Sequence, residues 1–158
     1  MSSTRRDPAS DWPASDRLQT AYPARMSRRP VFVLHEHDRP RHHFDLRLEE
    51  EGVLRSWAVP KGLPEDHQND RLAVPVDDHK IDHATYEDDT KRIADTGWWE
   101  LESRNDRRSV FVLHGRRGAR RYALIDTGDL ALLHLTRGQP PHDRPVDSVF
   151  PAALQGKV

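Results

Sequence analysis

Four histidines, two aspartates and three arginines lie within Val31–Glu49 (VFVLHEHDRPRHHFDLRLE), among two runs of strand-forming residues. From Arg41 onward the residues alternate. A strand here would set His43, Asp45, Arg47 and Glu49 on one face and His42, Phe44, Leu46 and Leu48 on the other. One face can bury while the other presents imidazole, carboxylate and guanidinium ~6.5–7 Å apart. His37 closes the preceding run and reaches that face if the two strands are neighbours. Two imidazoles and a carboxylate (His37, His43, Asp45) form a minimal ligand set for Mn, Fe, Co or Zn. Three protein ligands leave positions open for substrate and water. Arg47 adds a planar fork suited to phosphate. Such a set fits phosphoester hydrolysis, in which a metal polarises a phosphoryl oxygen, Arg neutralises developing charge and a histidine protonates the leaving oxygen. Charged strand faces also arise without any site, so spacing alone leaves an ordinary solvated surface open. His42 has the opposite parity and reads as structural. His35 shares the parity of His37 but lies further from the turn, and no role follows for it.

The elements that must position these residues are short strands. Val31–His37 reads as one strand, ended by Asp38-Arg39-Pro40. Arg41–Glu49 and Val53–Val59 follow as a hairpin through Glu50-Glu51-Gly52. Arg71–Val76 is a fourth strand, which Pro75 places at an edge or bulge. The stretch from Asp77 to Lys91 reads as a polar loop holding His79, His83 and Tyr86. Gly97–Leu101, Ser109–His114, Arg121–Asp126 and Leu130–Leu135 complete the set. About eight strands at roughly ten-residue spacing, with almost no helical periodicity, predict an all-β fold, a compact closed or partly open barrel. The barrel is expected over residues 30–137. A flexible N-terminal tail over 1–29, on which Trp12 and Tyr22 could dock, and a Pro-rich C-terminal tail over 138–158 are expected to flank it.

The 158 residues are 35% hydrophobic and 32% charged, with a net charge of −1 and no cysteine. Disulfides and thiolate metal sites are excluded. No apolar run approaches the ~18–20 residues of a membrane helix, and the N-terminus has no apolar signal region. A cytoplasmic monomer without membrane contact is expected. The charge is unevenly spread: Arg104, Arg107, Arg108, Arg116, Arg117, Arg120 and Arg121 crowd one segment, where they could hold phosphates.

The stretch FVLHEHDRPRHHFDLRLEEEGVLRSWAVPKG resembles the signature of the 3′-phosphoesterase domain of bacterial DNA ligase D and its stand-alone relatives. The resemblance continues through Arg71–Val74 (RLAV) and Asp77-Asp78-His79, and more weakly through DTGWWEL and FVLHG…RYALI, covering about residues 31–136. It implies a compact β-barrel with its site in a groove, and Mn-dependent trimming of DNA or RNA 3′ ends during break repair. The family's two activities are removal of a 3′ ribonucleoside and removal of a 3′-phosphate. By the resemblance, His37, His43 and Asp45 match the metal ligands. Arg47, Arg71 and His79 match groups around the scissile phosphate. Lys61 matches the Lys of the family's W-A-V-P-K-G, and Asp77 stands where the family has Glu. His83 occupies the position of a catalytically important family Tyr, and the family's glycine-rich G-x-I-P-x-G-x-Y-G-A-G segment is replaced by the shorter YEDDTKRIADTG. The N-terminal stretch that helps cradle substrate in ligase-linked forms has no counterpart in residues 1–29.

The leading expectation is therefore a metal-dependent 3′-phosphoesterase acting on nucleic-acid ends. Any ligase, polymerase or end-binding repair protein it works with is expected as a separate chain. A degenerate member that binds ends or a repair partner without turnover is the alternative. On bare spacing, His43-x-Asp45 with a distant His also resembles the facial triad of a non-haem iron oxygenase.

Overall fold

The computed structural model describes residues 28–141. The expected tails, with Trp12 and Tyr22, fall mostly outside these residues. The chain forms eight strands: β1 (Val31–His37), β2 (His43–Glu50), β3 (Val53–Val59), β4 (Arg71–Lys80), β5 (Lys91–Arg104), β6 (Arg108–Gly115), β7 (Gly118–Asp126) and β8 (Ala131–Leu135). They close into an antiparallel barrel in the order β1-β2-β3-β4-β8-β7-β6-β5. Closure pairs every strand on both sides, except that β4 beyond Ala73 is paired with β3 alone. The described residues contain no α-helix, only a five-residue 3₁₀ turn at Ile81–Thr85.

Alternation in each strand fills the barrel. Phe32 and Leu34 of β1, Leu46 and Leu48 of β2, Trp57 and Val59 of β3 meet Trp99, Phe111, Tyr122 and Leu133 inside. The tightest approach is between β5 and β6. A Cβ on Gly97 would run into the carbonyl oxygen of His114 and press on the Phe32 ring, so only glycine fits there. Pro75 falls beyond Arg71–Ala73, the stretch of β4 that pairs with β8, where no second ladder needs its missing N–H.

Two strands run longer than sequence patterning indicates. β4 continues through Asp77-Asp78-His79-Lys80, because the ladder to β3 extends past a register shift near Leu54 and pairs Leu54 with His79. β5 begins at Lys91, because its first residues pair with β1 rather than β6: His37 faces Lys91 and His35 faces Ile93. The polarity of these extensions hides them, since tertiary pairing, and not a hydrophobic face, makes them strands.

The link from β4 to β5 has a consequence for the site. β4 ends beside β3, whereas β5 begins beside β1 at the other end of the barrel. Residues 81–90 must therefore cross the outer face of the β1–β2–β3 hairpins. They are pinned there by a second, external apolar cluster. Val33 and Leu54 are fully buried under Ala84, with Val31, Ile81 and Ile93 packed around them. The outward face of β2 is thus covered as well as the inward one. Asp45, Arg47 and Glu49 are buried, where alternation alone predicts a face open to water.

Candidate functional site

The β1–β2 ladder sets His37 opposite His43 and His35 opposite Asp45. All four side chains point outward, beneath the crossing segment. The His37 and His43 rings lie 5.0 Å apart. Asp45 Oδ2 lies 3.5 Å from His37 Nδ1, and Asp45 Oδ1 lies 3.2 Å from His43 Nε2. One potential donor atom from each of the three residues falls within 4.8 Å of the others. A slight closing of the rings would bring them onto one ion at bonds of ~2.0–2.2 Å.

The local hydrogen bonding fits a cation. His43 Nδ1 is 2.8 Å from the Arg41 carbonyl oxygen, which only accepts, so Nδ1 carries a proton. A neutral His43 then turns the Nε2 lone pair toward a carboxylate oxygen. Those two lone pairs repel unless a proton or metal ion lies between them. A histidine tethered through its second nitrogen to a backbone carbonyl is also the usual support of a metal ligand. Burial, followed by the charge of Lys91, pushes the His37 pKa down, keeping that imidazole neutral and able to ligate.

Arg47 is the hub beside this triad. Its side chain is only 2% exposed. Nη2 donates toward Asp45 Oδ2 at 3.3 Å, Nε to His35 Nδ1 at 3.2 Å, and Nη1 to Ser56 Oγ at 3.0 Å. Nη1 also lies 3.0 Å from His79 Nδ1. Of its five N–H groups, one on Nη2 remains for a ligand. His79 Nδ1 has a competing contact, the Asp77 carbonyl at 3.1 Å. The two contacts demand opposite tautomers. Accepting from Arg47 leaves Nε2–H as a hydrogen-bond donor, whereas donating to Asp77 leaves Nε2 as a base.

His83 hangs over this group from the 3₁₀ turn. Its ring stacks on Tyr86 at 4.9 Å and sits 4.6 Å from His79 and 5.2 Å from His35. Its Nε2 lies 3.1 Å from Lys91 Nζ, so Nε2 accepts and Nδ1 carries the proton. Burial, then the charges of Lys91 and Arg47, lower its pKa to about 4.

Of the candidate residues, the fold brings together His37, His43, Asp45, Arg47, His79 and His83. Asp77 reaches this group through its carbonyl, while its side chain is exposed. Lys61 and Arg71 sit elsewhere. With Phe44 and Leu34, which face inward, they line a cleft of about 270 Å³ at the barrel mouth, together with Arg116 and Arg117. Arg71 donates to the Lys61 carbonyl there. His42 is exposed and bound to Glu36 at 2.7 Å.

Two members of the cluster escape sequence reasoning. His35 is fully buried, accepts from Arg47 and donates from Nε2 to the Tyr86 carbonyl at 2.8 Å. Burial foremost lowers its pKa to about 4, so it stays neutral and fixes Arg47 in place. Its parity with His37 was the available signal. Lys91 is 8% exposed and reaches His83 from the first residue of β5. Nothing in its neighbourhood in the sequence marks it.

A family model described as the DNA Ligase D 3′-phosphoesterase domain matches residues 35–126. This chain belongs to that family. Its relatives agree. The "Multifunctional non-homologous end joining protein LigD" of Mycobacterium bovis is 39% identical over 123 residues, covering 69% of this chain and 16% of the relative. That of Mycolicibacterium smegmatis is 36% identical over 148 residues, covering 80% and 19%. That of Pseudomonas aeruginosa is 50% identical over 56 residues, covering 35% and 7%. The chain thus spans less than a fifth of the length of these curated relatives. The family match runs from His35 through β7, so it includes the whole triad, the Arg47 hub, His79, His83 and Lys91, with His37 two residues inside its start.

Proposed function

We propose that this protein is a metal-dependent 3′-phosphoesterase that trims DNA or RNA 3′ ends in end joining, removing a 3′-phosphate, a 3′ ribonucleoside, or both. The observation that carries the reading is the outward-facing His37–His43–Asp45 triad, joined through Asp45 to Arg47 and through Arg47 to His79. His37, His43 and Asp45 would hold the ion. Their nitrogen and oxygen donors suit Mn²⁺ and other divalent transition metals. A bound ion would supply Lewis acidity toward a phosphoryl oxygen.

The protein's own groups supply the rest. The free Nη2–H of Arg47 holds a non-bridging phosphate oxygen, and its other four N–H groups keep it from moving. In removal of a 3′-phosphate, a water oxygen bonds to phosphorus and the P–O3′ bond breaks. The attacking water gives a proton to His79 Nε2, the base in the tautomer that donates Nδ1–H to the Asp77 carbonyl, and the imidazolium so formed protonates the O3′ leaving group. His83 Nδ1–H offers a hydrogen bond over the same space. Lys61 and Arg71, at the barrel mouth with Arg116 and Arg117, hold the strand that carries the end. Asp77 tunes His79 through its carbonyl. A ligase, polymerase or end-binding protein would use the trimmed end, in the cytoplasm.

The test is product analysis on two labelled primer–templates, one ending in a 3′-phosphate and one in a single 3′ ribonucleotide, with Mn²⁺ or with chelator. Conversion of either end with Mn²⁺ and none with chelator is expected. A second reading is favoured by His83, which stands at the family Tyr and is already engaged by Lys91 and Tyr86: the protein binds ends without turning them over. One-to-one Mn²⁺ binding with no conversion of either end would establish that reading and remove the first.

A further inference from the structure

The triad and its surroundings hold more buried positive charge than their own carboxylates balance. Arg47 and Lys91 are both buried cations. Asp45 is the buried carboxylate among them, and it already faces His37, His43 and Arg47. The other nearby acids are engaged elsewhere. Glu49 is held by Arg28 and by the Val31 N–H. Asp88 accepts from Tyr86 Oη at 2.6 Å and from Thr90. Among the described residues no carboxylate forms an ion pair with Lys91; its polar contact is the neutral His83 ring. Burying an unmatched ammonium is costly, so such a group is kept where an anion arrives to meet it.

The geometry shows how Lys91 comes to be there. Asp88 and Lys91 form an isolated bridge, and Asp88 Oδ1 accepts from the Thr90 N–H, which makes a tight turn out of the crossing segment. Lys91 leaves that turn beside His37, its partner in the β1–β5 ladder. Its ammonium lies 5.7 Å from the centre of the Tyr86 ring and 3.1 Å from His83, on the same covered face as Arg47.

We propose that Lys91 is a specificity-determining residue of this site, adding a second fixed positive charge that selects a terminal phosphomonoester over a phosphodiester. This deepens the phosphoesterase reading and rests on it. Above pH ~7 a terminal phosphate carries close to two negative charges, whereas a diester linkage carries one. Two buried guanidinium and ammonium groups match the first, and Arg47 alone suffices for the second. His83 acts as the acceptor that aims the ammonium, a positioning role that a tyrosine hydroxyl at this place would fill differently.

The experiment compares kcat/KM on the same strand ending in a 3′-phosphate and in a 3′ ribonucleotide, for wild type, Lys91→Met and Lys91→Arg. In Lys91→Met the preference for the phosphate end should fall ~10–100-fold, the size of a hydrogen bond to a charged group, while Lys91→Arg keeps it. Equal losses on both ends, or no loss, overturn the proposal. The ratio is internal to each preparation, so a partly unfolded variant does not mimic it. A second arm uses calorimetry in chelator at pH 8 with inorganic phosphate and with dimethyl phosphate, a monoanion. Wild type should favour inorganic phosphate and Lys91→Met should abolish that difference; a variant that retains it overturns the role of Lys91. If wild type converts neither end while this arm behaves as expected, the phosphoesterase reading fails and the dianion site stands.

Discussion

His83 and Lys91 form a pair whose protonation bears on stability. The His83 pKa is lowered to about 4 in the folded chain, by burial first and by Lys91 and Arg47 next, from an ordinary value of 6.5. Between those values the unfolded chain binds a proton that the folded chain does not. Stability from this group is therefore complete above pH ~6.5 and is lost as pH falls toward 4. Thermal unfolding of the wild type should show a melting temperature that drops across this window, and His83→Gln should flatten the drop. An identical pH dependence in both proteins would mean that His83 is not held neutral. The shared outward face of His37, His43 and Asp45 was readable in the sequence, because period-two alternation survives folding unchanged. Lys91 was not, because its place depends on a ladder between β1 and β5, whose pairing residues are more than fifty positions apart.

The crossing segment decides what the outer face of β2 can do. It is held by Val33, Leu54 and Ala84, with Ile81 and Ile93 at its flanks. Leu54→Ala removes a fully buried side chain from a cluster that has few others. It should destabilise the protein by about 2–5 kcal/mol, measured by urea unfolding. It should also speed amide exchange selectively in residues 81–86, since the rest of the barrel rests on the interior cluster. Uniform acceleration throughout would show that the crossing segment is not a separately anchored element. Eight strands were legible from their alternation and turn residues, and β1 and β3 to the residue. The cover over β2 was not legible, because residues 77–91 carry almost no hydrophobic periodicity. They are placed by connectivity around a closed barrel and by a handful of apolar contacts. For the same reason the sequence points to a solvated polar face where the fold buries one.

The barrel as a whole presents two polar regions on opposite sides of β2. His43 and Asp45 face outward beneath the crossing segment, while Phe44 between them faces the mouth, where Lys61, Arg71, Arg116 and Arg117 gather around Glu65 and Asp95. Arg116 Nε is buried there with no hydrogen-bond partner, and Arg117 is exposed, 3.8 Å from Glu65. A strand ending at the triad can pass over the rim into this cleft. Arg116→Ala with Arg117→Ala should weaken binding of a single strand and lower the slope of log affinity against log salt by roughly 1.4, at ~0.7 for each phosphate no longer neutralised. Glu65→Gln should strengthen binding, a change of sign that unfolding does not produce. An unchanged slope would exclude the mouth from the footprint. Family membership was legible from Val31 to His79, where the motif is dense. The division of its residues between two faces became visible only once β2 was closed into a barrel. Among the described residues no helix is long and apolar enough to cross a membrane.

The most direct measurement is the rate of phosphate release from a 3′-phosphate end across a Mn²⁺ titration, for wild type and His43→Ala. His43 is chosen because its ring faces Asp45 and is tethered to the Arg41 carbonyl. Removing even an outer partner of a metal ligand commonly costs 10–100-fold, so loss of the ligand itself should cost ~100-fold or more. Wild-type release should saturate with Mn²⁺ and vanish with chelator, with His43→Ala slower by at least that factor. Release that persists in chelator, or equal release by His43→Ala, would contradict a metal centre at His37, His43 and Asp45.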